Sequence, residues 1–203
     1  NKLTTNHTFF MRESDHFEYF RSTVLPYWSS TLERSRDLRV WSAGCSSGEE
    51  PYTLAMIMAD YFGNDKRLWD TKILATDISM NVIENAKKGI YSNDNLEALP
   101  ILWKNKYFVN LDKERSVISD SIKNEVIFRI FNLMNAFPFK KRFHAIFCRN
   151  VMIYFDSQTK KELVNKFYEY TEPGGYLFIG HSESLNREET MYKYIIPAVY
   201  RKE

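Results

Sequence analysis

Val40-Trp41-Ser42-Ala43-Gly44-Cys45-Ser46-Ser47-Gly48-Glu49-Glu50-Pro51-Tyr52 is the stretch whose reading decides the fold of this chain. Leu38, Val40 and Trp41 make a short β run, a small-residue turn follows, and Pro51 suits the first turn of a helix. Glycines at 44 and 48 permit close backbone approach to a ligand, and the N–H groups at such a helix start have no intrahelical partner. The spacing Gly44-x-x-x-Gly48 lacks the third glycine of the dinucleotide fingerprint. Glu49 and Glu50 stand where a phosphate would otherwise sit. They disfavour a pyrophosphate and favour a cationic or hydroxyl-bearing ligand, while acids in a first turn also complement the helix dipole.

Working outward, Leu54, Ile57, Met58 and Tyr61 recur at helical spacing as far as Gly63-Asn64, and residues 72–76 read as a second buried strand ending at Asp77. Ser79 is the expected cap of a helix running to about Lys88. An acid at the end of the second strand is placed to bind ribose hydroxyls; the usual spacing from the glycines is about 20 residues and here it is longer, so a turn or cap is the equal alternative for Asp77. Residues 126–131 and 145–148 read as third and fourth strands, ending at Asn132 and at Arg149-Asn150. Residues 158–170 fit a helix with Leu163, Val164, Phe167 and Tyr168 facing inward, and Pro173-Gly174-Gly175 turns the chain into a fifth strand at 176–179. Residues 192–200 have the content of an antiparallel strand pair broken at Pro197. Upstream, residues 13–25 look helical, with Phe17, Phe20 and Val24 on one face and Pro26 as the stop. Strands alternating with helices predict an α/β, Rossmann-like sheet with helices on both faces.

A chain of 203 residues with 44% hydrophobic content buries one sizeable core, so residues 1–203 read as one domain, with 95–124 as a small inserted lobe. The net charge of +2, from 28 basic and 26 acidic side chains, gives no electrostatic reason to expect nucleic acid or an acidic membrane as partner. Cys45 and Cys148 lie far apart, form no C-x-x-C pair and have no histidine at a zinc-like spacing; no metal is expected, and a reducing cytoplasm is. No apolar run approaches the roughly 20 residues of a membrane span, and no leader pattern opens the chain.

Four strand ends carry polar residues: 44–50, Asp77, Asn132 and Arg149-Asn150. In open α/β sheets such ends converge on one crevice. A terminal antiparallel pair beyond the fifth strand moves the reading from a dehydrogenase to a methyl-donor enzyme. At this point the chain resembles a known family over nearly its whole length, the CheR-type chemotaxis receptor glutamate methyltransferases. Thr4-Thr5-Asn6-His7-Thr8-Phe9-Phe10-Met11-Arg12-Glu13 is similar to the family's opening motif and residues 41–52 to its cofactor loop. Cys148-Arg149-Asn150-Val151-Met152-Ile153-Tyr154-Phe155 and Gly180-His181-Ser182-Glu183 match two later signatures.

The resemblance implies a class I methyltransferase sheet binding S-adenosylmethionine, with S-adenosylhomocysteine as product. It assigns the cofactor to Asn6, Thr8, Arg12, Gly44, Glu50, Asp77, Asn132, Leu133, Arg149 and Asn150, with Arg12 and Tyr154 nearest the transferred methyl. The side-chain chemistry agrees: Asp77 suits a ribose diol, Glu50 an amino group, and Asn132 with Leu133 an adenine wall. By itself, Arg12 more often reads as a surface ion-pair partner, and Tyr154 as a core tyrosine with a satisfied hydroxyl. The implied partner is the cytoplasmic helical region of chemoreceptors, with no nucleic acid and no membrane insertion. Family members carry a basic helical domain upstream, expected to be absent from this chain, which begins at the opening motif. In some members the small lobe, corresponding to 95–124, grips a receptor-tail pentapeptide through a glycine-rich turn; no glycine occurs here between Gly89 and Gly174, so no such tether is expected. Two rival functions remain: methyl transfer to another acceptor, which the missing N-P-P-Y signature and near-neutral charge disfavour for bases, and a non-catalytic module that binds the cofactor or its product, which Arg12 and Tyr154 disfavour.

Overall fold

The structure, a computed structural model, describes residues 7–203. Its centre is strand β1 (Val40–Ala43), buried along its whole length between two parallel neighbours, β2 (Ile73–Asp77) and β7 (Phe143–Phe147). A strand with both faces covered needs apolar residues without alternation, which is why Val40-Trp41-Ser42-Ala43 shows no polar face. With β6 (Val126–Ile130), β8 (Thr171–Phe178), β9 (Lys193–Ile196) and β10 (Val199–Arg201) it forms a seven-stranded sheet in the order β6-β2-β1-β7-β8-β10-β9. Six strands run the same way, five of them paired in parallel, and β10 alone runs opposite, antiparallel to both β8 and β9. The α/β, Rossmann-like class and the terminal antiparallel pair both hold.

Successive side chains of β1 feed two cores. Val40 joins Ile73, Ala75, Phe147 and Phe178 on one face, against α1 (Ser14–Tyr19), α2 (Leu25–Thr31) and α3 (Glu49–Phe62). Trp41 and Ala43 join Ile146, Leu177 and Phe167 on the other, against α7 (Ser157–Glu169). Trp41 is ringed by Phe131, Phe137, Phe139, Phe143 and Phe167, and its indole N–H donates to Thr76 Oγ1 at 2.9 Å, so the one polar atom of this large side chain is satisfied in the core. In α3, Leu54, Ile57 and Met58 are buried as the spacing required, but so is every residue from Pro51 to Met58, because the helix lies among several neighbours and has no wide solvent face.

Two boundaries and one cap differ from the sequence reading. Pro26 does not stop the first helix: a π-helical turn (Phe20–Val24) joins α1 to α2, and the ladder has already slipped where the proline N–H is missing. Pro173-Gly174-Gly175 lies inside β8 as a bulge, where β7 advances from Phe143 to Ala145 while its partner advances from Thr171 to Tyr176. Gly174, at φ 85°, pairs its N–H with the Lys202 carbonyl at 2.7 Å, so the triplet is held by the chain end. Ser79 precedes α4 (Met80–Lys88) without a side-chain cap; the Asp77 carboxylate takes the Ser79 N–H instead, at 3.0 Å.

Residues between α4 and β6 form a second sheet of three antiparallel strands, β3 (Ile90–Ser92), β5 (Arg115–Ile118) and β4 (Phe108–Asn110), ordered β3-β5-β4, with α5 (Ile101–Tyr107) and α6 (Asp120–Lys123). Its first strand begins before residue 95. The lobe is fastened to the main body by Asp60 of α3, which accepts bonds from Trp103, Lys106 and Tyr107, and by Phe10, whose ring meets Tyr91 and Phe108 edge-on.

Candidate active site

Where the strand order reverses, between β1 and β7, the carboxyl ends of the parallel strands open on a cavity of about 590 Å³. That is within the range of roughly 300–1,000 Å³ typical of small-molecule sites, and the position is where open α/β sheets bind ligands.

The turn after β1 supplies the first wall. Gly44 has φ 81°, and a Cβ there would meet Val151 Cγ2 at 2.4 Å, so only glycine lets the turn pass beneath the loop after β7. The two acids of the turn separate. Glu49 turns away: both its oxygens accept from Ser47 Oγ at 2.7 Å, and Thr8 Oγ1 and Asn95 Nδ2 approach at 3.4 Å. Glu50 faces the cavity, with Oε1 accepting from Ser42 Oγ and Oε2 from Arg149 Nε, each at 2.7 Å. Asp77, ending β2, accepts the Ser46 N–H on Oδ2 and the Ser79 N–H on Oδ1, both at 3.0 Å. It therefore serves as a turn cap and still lines the cavity, because a carboxylate offers about four acceptor positions. Cys45 in the same turn is no nucleophile: burial pushes its thiol far up, and the charges of Asp77 and Glu50 add to the shift.

After β6, Asn132 accepts the Met134 N–H at 2.9 Å on its side-chain oxygen, fixing a loop in which Phe131, Leu133 and Met134 line the cavity opposite Ile78 and Val82. After β7, Arg149 is nearly buried. Its Nη1 donates to the Arg12 carbonyl at 2.8 Å, its guanidinium covers the Phe17 ring at 4.7 Å, and Glu13 stands 3.6 Å away. Arg149 thus ties the lead-in helix to the sheet while lining the cavity. His16, 3.2 Å from Nη1, is held neutral, its pKa lowered to about 4 by burial and then by Arg149.

Arg12 reaches the cavity from a turn in which both neighbours, Met11 (φ 62°) and Glu13 (φ 54°), are left-handed. Ser46 (φ 50°) and Asn150 (φ 61°) line the same cavity, so of the six non-glycine residues with positive φ among those described, two line it and two flank Arg12. Such positions cost about 1–3 kcal/mol each and persist where surrounding contacts hold them. Tyr154, on a 3-10 turn (Met152–Tyr154), is 58% exposed at the rim.

One cavity therefore brings together Thr8, Arg12, Gly44, Glu50, Asp77, Asn132, Leu133, Arg149, Asn150 and Tyr154; Asn6 lies outside the described residues. The sequence reading missed Phe9, Ile78, Val82, Phe131, Met134 and Phe155. Phe9 and Phe155 sit inside quoted motifs, and Ile78, 66% exposed directly after Asp77, was the apolar residue out of place. S-adenosylmethionine fits these walls: two carboxylates face its hydroxyls and cationic groups, Gly44 leaves room at the turn, and Phe131, Leu133, Ile78 and Val82 offer an apolar slot for a purine. Behind Arg149, Glu13, His16 and His181 bring one ligand atom each within 4.8 Å of one another, but the guanidinium among them opposes a cation.

Residues 6–200 match the family model described as CheR methyltransferase, SAM binding domain. The chain is 45% identical to a chemotaxis protein methyltransferase of Borreliella burgdorferi, over all of this chain and 72% of that protein. It is 36% identical to a probable chemotaxis protein methyltransferase of Rhizobium etli, over 98% of this chain and 79% of that one. Among solved structures, the glycopeptide N-methyltransferase MtfA complexed with S-adenosyl-L-methionine covers 70% of this chain and 43% of its own at a TM-score of 0.43 and 15% identity, too loose a likeness to carry any residue across. Matched by that model along nearly its whole length, the chain belongs to the CheR methyltransferase family and is an S-adenosylmethionine-dependent enzyme of bacterial chemotaxis.

Proposed function

We propose that the chain, as one catalytic domain with its small lobe, transfers a methyl group to glutamate side-chain carboxylates on the cytoplasmic helical region of chemotaxis receptors, forming glutamyl methyl esters. The supporting observation is that Arg12 and Tyr154 both line a cavity whose lining, among the described residues, contains no histidine and no lysine. A glutamate carboxyl, with an ordinary pKa near 4.3, is ionised at neutral pH and needs no general base. An amine acceptor would need one. When bound, S-adenosylmethionine supplies an electrophilic methyl group.

The residues then divide the work. Asp77 holds the ribose hydroxyls, and Glu50, fixed by Ser42 and Arg149, holds the amino group. Asn132 and Leu133 hold adenine; Thr8, Gly44, Arg149 and Asn150 complete the wall, and the family resemblance assigns Asn6 to the cofactor as well. Arg12, whose guanidinium has one described bond, Nη1 to the His7 carbonyl at 3.2 Å, pairs with the incoming carboxylate, and Tyr154 orients it. Rate comes from placement and the exclusion of water. The names of the relatives point to a chemotaxis acceptor, and among the described residues no helix is long and apolar enough to cross a membrane. A cytoplasmic enzyme without nucleic-acid partners or a receptor-tail tether is consistent with both.

The test is incubation with methyl-labelled S-adenosylmethionine and chemoreceptor membranes, then mild alkali and collection of volatile methanol. Methanol released from a receptor-sized band is expected. Label that survives alkali would overturn the carboxylate reading, since esters hydrolyse and methylated amines do not.

A further inference from the structure

Glu183 follows β8 and lies outside the cavity lining, yet its side chain reaches back to the loop that carries the rim residues. It is 6% exposed, and among the described residues no basic group stands within ion-pair distance of it. Its carboxylate is met by backbone: Oε2 accepts the Gly180 N–H at 2.9 Å, Oε1 accepts the Ile153 N–H at 3.2 Å, and the Asn150 N–H faces it closely enough to lower its pKa. Burial raises its pKa, and the three N–H groups, then the charge of Lys160, oppose the rise. A buried carboxylate with no cation in direct contact is costly to keep, and an apolar residue in its place would leave these backbone N–H donors without that acceptor.

Two of those donors bracket the loop after β7. Asn150 is the left-handed residue at the cavity wall, and Ile153 is the middle residue of the turn that ends in Tyr154. The same loop is pressed from behind, where a Cβ on Gly180 would meet Asn150 Oδ1 at 2.3 Å. Tyr154, more than half exposed, follows directly on Ile153, so the backbone bond at Ile153 sets where its side chain starts. We propose that Glu183 is a positioning residue, whose carboxylate fixes the Asn150 and Ile153 backbone so that the Tyr154 hydroxyl meets the methyl acceptor. This rests on the rim role given above to Tyr154. A misplacement of about 1 Å at such a site costs on the order of 10²-fold in rate.

The experiment compares the wild type with E183Q, Y154F and the double variant, measuring thermal unfolding, cofactor affinity by calorimetry, turnover by alkali-released methanol, and exchange of the Asn150 and Ile153 amides by NMR. Glutamine keeps one acceptor oxygen but turns an NH₂ toward an N–H donor. E183Q is expected to fold, to bind the cofactor within about threefold of wild type, to lose turnover by tenfold or more, and to exchange both amides faster. In the Y154F background the same change should cost less than about twofold, because the residue it positions has already lost its hydroxyl. Unchanged turnover, or an equal loss in both backgrounds, overturns the proposal. If E183Q does not fold, E183D is judged by the same readings. If the wild type binds cofactor but methylates no receptor, the proposed function fails; amide exchange then decides for Glu183, and unaltered exchange overturns its role.

Discussion

Arg12 and Arg149 illustrate how differently two arginines of one cavity are used. Arg149 is committed on several sides, to Glu50, to the Arg12 carbonyl and to the Phe17 ring, and removing it would leave Glu50 uncompensated and unlock the lead-in helix. Arg12 is held by its backbone: its carbonyl accepts from Arg149, and among the described residues its side chain's one bond goes to the His7 carbonyl. R12A is therefore expected to reduce turnover by on the order of 10²-fold while cofactor affinity changes by about threefold. Single-turnover kinetics beside calorimetry would check this, and equal losses would reassign Arg12 to the cofactor. The residue scale is also where the sequence said most. Glu50, Asp77, Asn132 and Arg149-Asn150 were legible because each directly follows a strand or opens a helix. Spacing alone does not tell which of Glu49 and Glu50 faces the cavity; the family resemblance pointed to Glu50, and the physical reason, Ser47 and Asn95 capturing Glu49, lies in the fold.

Among the elements, the lobe depends most on a single side chain. Burial alone would push the Asp60 carboxyl up, but the Tyr107, Trp103 and Lys106 donors hold it below its ordinary value, so it is an ionised acceptor for three bonds from α5. D60A should destabilise the protein by about 1–3 kcal/mol and speed amide exchange in β3, β4 and β5, with the amides of β1 and β7 still protected. Hydrogen exchange by mass spectrometry separates these outcomes, and uniform loss of protection would show that lobe and sheet unfold as one. Element boundaries were less legible than element types. Pro26 reads as a stop because a proline N–H is missing, and only the π turn before it makes the helix continuous. Pro173-Gly174-Gly175 reads as a turn because its partner, the Lys202 carbonyl, is distant in sequence.

Across the whole molecule, two buried neutral histidines couple stability to pH. His16 and His144 each have a pKa lowered from 6.5 to about 4, chiefly by burial, with Arg149 and Arg39 respectively adding to it. His144 Nδ1 also accepts the Arg39 N–H at 2.9 Å. Between pH 6.5 and about 4 the unfolded chain binds these protons and the folded chain does not, so stability falls as pH drops through that window. The loss is on the order of 2 kcal/mol per histidine. Urea unfolding at steps from pH 7 to pH 4.5 should show the decline, and H144Q should make it shallower; an unchanged slope would refute the assignment.

The two thiols have a consequence in the kinetics of chemical labelling. Cys45 lies in the turn under the cavity, Cys148 at the end of the central sheet, and both are free and buried. Burial also raises both thiols well above their ordinary pKa, so neither reacts while the fold is closed. A disulfide reagent therefore acts as a clock with two hands. Modification of Cys45 times the opening of the turn, and modification of Cys148 times the opening of the sheet itself. Saturating cofactor should slow the first hand and leave the ratio of the two to report how far the cavity breathes without the molecule coming apart.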